Sequence, residues 1–316
     1  MIEFQIKEND ADQRLDKFIL KTMNSLPKSL MYKYIRNKKI KVNRKRCEIS
    51  QRLQIGDIVQ CYIPEEFYPA KEELSFLKAK SNLDIIYEDD NILIVNKPKG
   101  LLAHKDTLDV QDNLLDRILH YLYDTKAYDP NKEHSFTPAL CHRIDRNTQG
   151  LVIAAKNAAA LRCMNEKIKL REVEKRYLCV VEGKLSKKKD HLVLYHHKHK
   201  DNIAQISVTE KPSYQRMETS YQVLQEGKRY SLVEVLLHSG KSHQIRAMMG
   251  WLHHPLYGDV KYGANKTKEK NYQALCAYKI NFHFSDEECC LSYLNHKEIQ
   301  LPDNEMEKLF LSLENQ

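Results

Sequence analysis

Asp145 lies in the stretch LCHRIDRNTQGLV, Leu140 to Val152, which sets His, Arg, Asp, Arg, Asn, Thr and Gln between two apolar ends. So much charge on one short connection reads either as a catalytic loop or as a polar turn that happens to contain an aspartate. Carboxylate chemistry requires the group to stay ionised in a partly dry site. Burial raises a carboxylate's pKa and a nearby cation lowers it, so a catalytic aspartate needs a cationic partner. Arg143 stands two residues before Asp145, on the same side of an extended segment.

Other chemistries lack their residues. The GKS at Gly240–Ser242 has Val235 where a phosphate-binding loop needs glycine. In HRID, Ile144 separates Arg143 from Asp145, and no Asn follows at the kinase distance. None of the 9 glycines forms a G-x-G, so dinucleotide fingerprints are absent. HHKHK, His196 to Lys200, lacks neighbouring Cys or well-spaced carboxylates and reads as an exposed hairpin tip. His253 and His254 are adjacent, and adjacent side chains diverge on a helix. No metal site and no cofactor is expected. The stretches left to carry chemistry are the one around Asp145, KRYLCVVEG (Lys175 to Gly183) and HSGKSHQIRAMMGWLHHPLYGDVKYG (His238 to Gly263).

The elements that position these stretches follow a mixed order. At 316 residues, one large or two unequal domains are expected. QRLDKFILKTM and SLMYKYIRNKK have helical spacing, and IKVNRKRCEI and DIVQCYIP read as strands. The segment PEEFYPAKEELSFLKAK reads as a charged linker. DIIYEDDNILIVNKPKG is strand, turn, strand, and LLDRILHYLY is an amphipathic helix. GLVIAAK, KRYLCVVEG, YSLVEVLL and LCAYKINF are strands, and AALRCMNEKIK, SHQIRAMMGWLHH and EMEKLFLSL are helices. Without regular βαβ alternation, this predicts an α+β catalytic domain on a largely antiparallel sheet. The expected boundaries are 1–63, a linker at 64–82, and 83–316.

Charge points to the partner. Of the net +8, residues 1–60 carry +7, from 14 Lys and Arg against 7 Asp and Glu. Lys28 to Arg46 holds nine basic residues and no acidic one. Such a single-signed patch attracts polyanions, nucleic acid first among them. No apolar run approaches membrane-spanning length, and MIEFQIKEND is too polar for a signal peptide. The 8 cysteines form no C-x-x-C pair, so reduced thiols in a cytoplasmic protein are expected. A monomer is the default.

HRIDRNTQGL, KRYLCVVEG and SGKSHQIR…HPLYGD..YG, with NKPKGLLAH (Asn96 to His104), together resemble the RluA-type pseudouridine synthases. The first unit resembles an S4 RNA-binding domain through RLDKF, LMYKYIRNKKIKVNRK and LQIGDIV in order. The chain departs from the family at Gln149, where Ser is usual, and at Ser239-Gly240-Lys241-Ser242, where Thr-Gly-Arg-Thr is usual. In the S4-like unit, Asn37-Lys38-Lys39 replaces the usual Gly.

The resemblance implies a pseudouridine synthase fold, with a largely antiparallel mixed sheet flanked by helices, plus a small S4-like α/β domain. It implies Asp145 as catalytic aspartate, either nucleophile or base, and Tyr177 as the tyrosine that stacks on the flipped uracil. Arg246 is the matching cation, expected to hold the carboxylate bidentately. Arg143 would fill the gap left by the extruded base. His142 would orient the loop or contact phosphate, and Gln244 would hydrogen-bond the loop. Thr148 and Gly150 would shape the turn. Lys33, Arg36, Lys38, Lys39, Arg44, Lys45 and Arg46 would bind RNA phosphates. Large-subunit ribosomal RNA is the expected substrate, with transfer RNA as the runner-up. A non-catalytic assembly factor would not need all three central residues, and a hydrolase would need a metal or a second carboxylate.

Overall fold

In the computed structural model, residues 1–69, 74–105, 112–198, 203–267, 272–285, 289–303 and 305–315 are described. The first unit comprises β1 (Ile2–Gln5), α1 (Leu15–Thr22), α2 (Lys28–Arg36), β2 (Ile40–Val42), β3 (Lys45–Arg46) and β4 (Ile58–Cys61). Its strands pair antiparallel in the order β1-β4-β2-β3. The helical spacing read in the sequence buries Leu15, Phe18 and Ile19 from α1 and Met31 and Ile35 from α2 over that sheet. Strand β1 was not expected. Asn43 and Arg44 join β2 to β3 with φ of 51° and 63°, the positive values of a tight hairpin turn. Lys38, in the segment that replaces the usual glycine, also adopts a positive φ, 59°.

The larger unit adds β5 (Ile85–Glu88), β6 (Ile92–Lys97), α3 (Leu114–Asp124), β7 (Ala139–Leu140), β8 (Gln149–Ala155), α4 (Ala158–Lys169), β9 (Val173–Glu182), β10 (Lys189–Lys198), β11 (Ala204–Ser207), β12 (Gln215–Glu226), β13 (Tyr230–Leu237), α5 (Gln244–Trp251), β14 (Leu275–Phe282), β15 (Glu298–Gln300) and α6 (Glu305–Glu314). The sheet runs β11-β10-β12-β13-β9-β14-β8-β6-β5, with β7 beside β8 and β15 beside β14. Its pairs are antiparallel except β8 with β14. The mixed, largely antiparallel sheet expected from the sequence is therefore what forms.

Strand alternation sorts the side chains into two layers. Along β9, Tyr177, Cys179 and Val181 face a core shared with Ile118 and Leu122 of α3 and Ile245 and Met248 of α5. Leu178 and Val180 face the opposite core, with Met164 of α4 and Met306 and Phe310 of α6. Tyr177 thus lies on the face that α5 covers, which brings it near Arg246. Strand β8, central and covered on both faces, is buried along its whole length. Asn113 and Asn157 cap α3 and α4 by accepting from the backbone N–H three residues on.

Gly150 has a specific reason to be glycine. A Cβ there would come within 2.2 Å of the Ala277 carbonyl on the parallel neighbour, and φ is 124°. The segment read as an extended linker is packed at both ends. Phe67 and Tyr68 lie against the first unit's core, and Phe76 is buried in the larger one, edge-on to Tyr123. The two units touch directly. Asp10, fully buried, accepts from the Ser135 hydroxyl at 2.6 Å, and Ala158 N donates to Asn9 at 3.0 Å.

Two sequence expectations are corrected here. Cys163 of α4 and Cys289 are joined in a disulfide, so not every thiol is free. His196 is not on an exposed tip. It is buried within β10, and its Nε2 pairs with the Ser242 carbonyl at 2.8 Å. His199 and Lys200 lie outside the described residues.

Candidate active site

The loop from β7 to β8 carries Asp145, and the 97–101 segment after β6 holds that loop. Lys97 is fully buried and donates to three carbonyls, of Pro98, Leu101 and Arg146, at 2.8–2.9 Å. Arg146 closes the arrangement, donating from Nε to the Gly100 carbonyl while its own carbonyl accepts from Gly100 N. Thr148 N bonds back to the Asp145 carbonyl, the turn bond expected of it, and the Thr148 hydroxyl accepts from Gln273. Asp145 is left with its carboxylate partly exposed in the lining of a cavity of about 830 Å³.

Arg246 approaches from α5. Its Nη1 stands 3.4 Å from Asp145 Oδ2. The expected two-pronged grip on Asp145 is not made. The fork belongs to Asp259, with Nε to Oδ2 at 2.7 Å and Nη2 to Oδ1 at 2.8 Å. Asp259 thus anchors the guanidinium and leaves one N–H edge for Asp145. Burial works against the charge on Arg246, but Asp259 and then Asp145 more than offset it.

Tyr177 is buried in the cavity wall. Burial, with Asp145 adding to it, pushes its phenol well above the usual range, so it stays protonated. Arg143 is exposed at the rim, on the same cavity as Asp145. The walls carry eight Lys or Arg against two carboxylates, Asp145 and Glu174, which favours an anionic ligand.

His142, in the cavity lining, braces the loop. Its Nε2 accepts from Ile153 N at 3.2 Å, and burial pushes its pKa down to about 3, so it is a neutral strut of the loop. Gln244 ties the neighbouring loop, accepting from Lys241 N and the Ser239 hydroxyl and donating to the Glu218 carbonyl and Thr219. Gln149 reaches across to Glu305 at the start of α6, at 2.9 Å. The seven basic residues chosen in the first unit are all exposed and do not line this cavity.

Lys97, Asp259 and their roles were missed from sequence. Lys97 stands in NKPKG and Asp259 in HPLYGD, but partners that are backbone carbonyls or distant side chains leave no local spacing. Burial pushes Lys97 down to about 7, although Asp145 pulls it up. The unfolded chain keeps that proton to about pH 10.4. Between those values the unfolded state binds more protons, so Lys97 makes the protein more stable as pH rises from 7 towards 10. In urea unfolding, wild type should gain on Lys97→Met by up to ~1.4 kcal/mol per pH unit over that range. A difference independent of pH would contradict this.

Comparisons with known proteins give the family. Residues 91–251 match the family model of RNA pseudouridylate synthase, and residues 13–59 match the S4 domain. An uncharacterized RNA pseudouridine synthase of Mycoplasma capricolum subsp. capricolum is 33% identical over 304 residues, 95% of this chain and 97% of that protein. Ribosomal large subunit pseudouridine synthase C of Buchnera aphidicola subsp. Schizaphis graminum is 31% identical, over 88% of each chain. Among solved structures, human RNA pseudouridylate synthase domain containing 1 shares the fold, with a TM-score of 0.54 and 20% identity over 77% of this chain and 97% of that one. No described helix is long and apolar enough to cross a membrane. The chain belongs to the RNA pseudouridylate synthase family, as an isomerase with an N-terminal S4 domain.

Proposed function

We propose that this enzyme converts specific uridines of large-subunit ribosomal RNA to pseudouridine, with Asp145 as its catalytic carboxylate. The observation that carries the reading is a partly exposed carboxylate, 3.4 Å from a guanidinium, in the lining of a mainly cationic cavity. The target uridine is extruded into this cavity, at a cost in lost stacking. Arg143 takes the vacated place in the RNA. Asp145 starts cleavage of the N-glycosidic bond, as nucleophile or base, with Arg246 Nη1 beside its carboxylate. The uracil turns and rejoins the ribose through C5, which loses its proton to solvent while N1 takes one up. The protonated Tyr177 stacks on the base, and its O–H donates a hydrogen bond to it. The RNA class rests on relatives named for the large ribosomal subunit.

The S4 unit, read as residues 1–63 with a connecting segment at 64–82, supplies affinity through phosphates. Arg44 and Arg46, both exposed on the β2–β3 hairpin, are its best-placed cations. Replacing both with Ser should weaken binding across sequences. It should also flatten the plot of log K against log salt by about one for each phosphate that is no longer neutralised. Filter binding at several salt concentrations reads this, and an unchanged slope would remove these residues from the interface. The RNA class is tested by giving the purified enzyme large-subunit ribosomal RNA and transfer RNA in competition. Pseudouridine in the ribosomal RNA is expected, and modification confined to transfer RNA would overturn the assignment.

A further inference from the structure

The segment that supplies Asp259 also supplies Tyr262, three residues on. Gly250 makes the approach possible, since a Cβ there would come within 2.8 Å of the Tyr262 carbonyl. The Tyr262 ring lies under the Arg246 guanidinium at 5.1 Å. Its hydroxyl meets two groups, Ala204 N at 3.0 Å and His243 Nδ1 at 2.9 Å. The backbone amide can only donate, so the hydroxyl oxygen accepts there. Accepting there leaves its own proton available for Nδ1, and a neutral imidazole that accepts it carries its proton on Nε2. That Nε2 stands 3.9 Å from Asp145 Oδ2.

We infer that Tyr262 is a positioning residue, which acts through His243 to aim an N–H at the Asp145 carboxylate. The inference rests on Asp145 being the catalytic carboxylate. Asp145 then has two supports from one segment, Asp259 through Arg246 and Tyr262 through His243. His243 itself is held in a left-handed conformation, φ 57° and ψ 23°, just before α5. A non-glycine residue stays there only where its surroundings fix it. The fixing contacts are His196 on the Ser242 carbonyl and Gln244 on Lys241 N. Burial holds the His243 imidazole below its usual range, consistent with a neutral ring that donates without titrating near pH 7. The 3.9 Å gap is of the kind that tightens when substrate fills the site.

The test uses the full-length enzyme and an RNA in which wild type forms pseudouridine, labelled with 5-tritiated uridine. Tyr262→Phe should lower kcat about tenfold with KM within about twofold of wild type. His243→Leu should lose about a hundredfold, and His243→Gln, which restores a donor, should recover most of that loss. Thermal melting reports folding of each variant. A Tyr262→Phe kcat within twofold of wild type, or equal losses in the Leu and Gln variants, would overturn the inference. Asp145→Asn in the same assay separates the two levels. Activity retained there would sink the reading of Asp145. An inactive Asp145→Asn beside a normal Tyr262→Phe would sink only the role of Tyr262.

Discussion

Asp145→Asn is expected to bind RNA as wild type does and to form no pseudouridine, a loss of at least about 10,000-fold in kcat. Asparagine matches the shape of aspartate but can neither carry the negative charge nor attack carbon, so both roles open to Asp145 fail together. The fold should survive the change. The loop is held by Lys97 on three carbonyls, by Arg146 and Gly100, and by the Thr148 turn bond, none of which uses the Asp145 carboxylate. Arg246 keeps its paired bonds to Asp259. Single-turnover tritium release and a melting curve measure the two halves of this expectation. Residual activity within a hundredfold of wild type would remove Asp145 from the chemistry.

Arg246→Ala should cost about 3–5 kcal/mol of stability as well as activity, because it strands a buried carboxylate. Asp259 is almost fully buried, and Arg246 supplies the hydrogen bonds to both its oxygens. Arg246→Lys keeps the charge but not the fork, so it cannot serve Asp259 and Asp145 together. It should fold better than the alanine variant and remain poorly active. The double variant Arg246→Leu, Asp259→Leu removes both charges and should be more stable than Arg246→Ala, yet inactive. Urea unfolding gives the comparison. A double variant no more stable than the single one would mean that the stranded charge is not the source of the loss.

What the sequence made legible was whatever is local. LCAYKINF forms β14 as read, and AALRCMNEKIK forms α4, because alternation and helical spacing survive in buried elements. Asp145, Tyr177 and Arg246 could be chosen because each sits in a compact motif, and all three line one cavity. The partners that make them work are distant or unmarked. Asp259 took the fork that Asp145 was expected to hold, and nothing in HQIR or HPLYGD fixes that choice. Lys97 acts on backbone carbonyls, which have no sequence signature. His196 was misread because its cover, the Ser242 carbonyl, comes from 46 residues away. Cys163 and Cys289 are 126 residues apart, and no spacing joins them. Gln149 had no local reason to replace a smaller residue, and its reason is Glu305, which lies 156 positions on.

Whether Asp145 makes pseudouridine in large-subunit ribosomal RNA is decided by a pseudouridine map of that RNA. The RNA comes from a strain lacking this gene, complemented with wild type or with Asp145→Asn at equal protein levels. One or more sites should vanish on deletion, return with wild type and stay absent with Asp145→Asn. A map unchanged by the deletion, or restored by the asparagine variant, would refute the assignment.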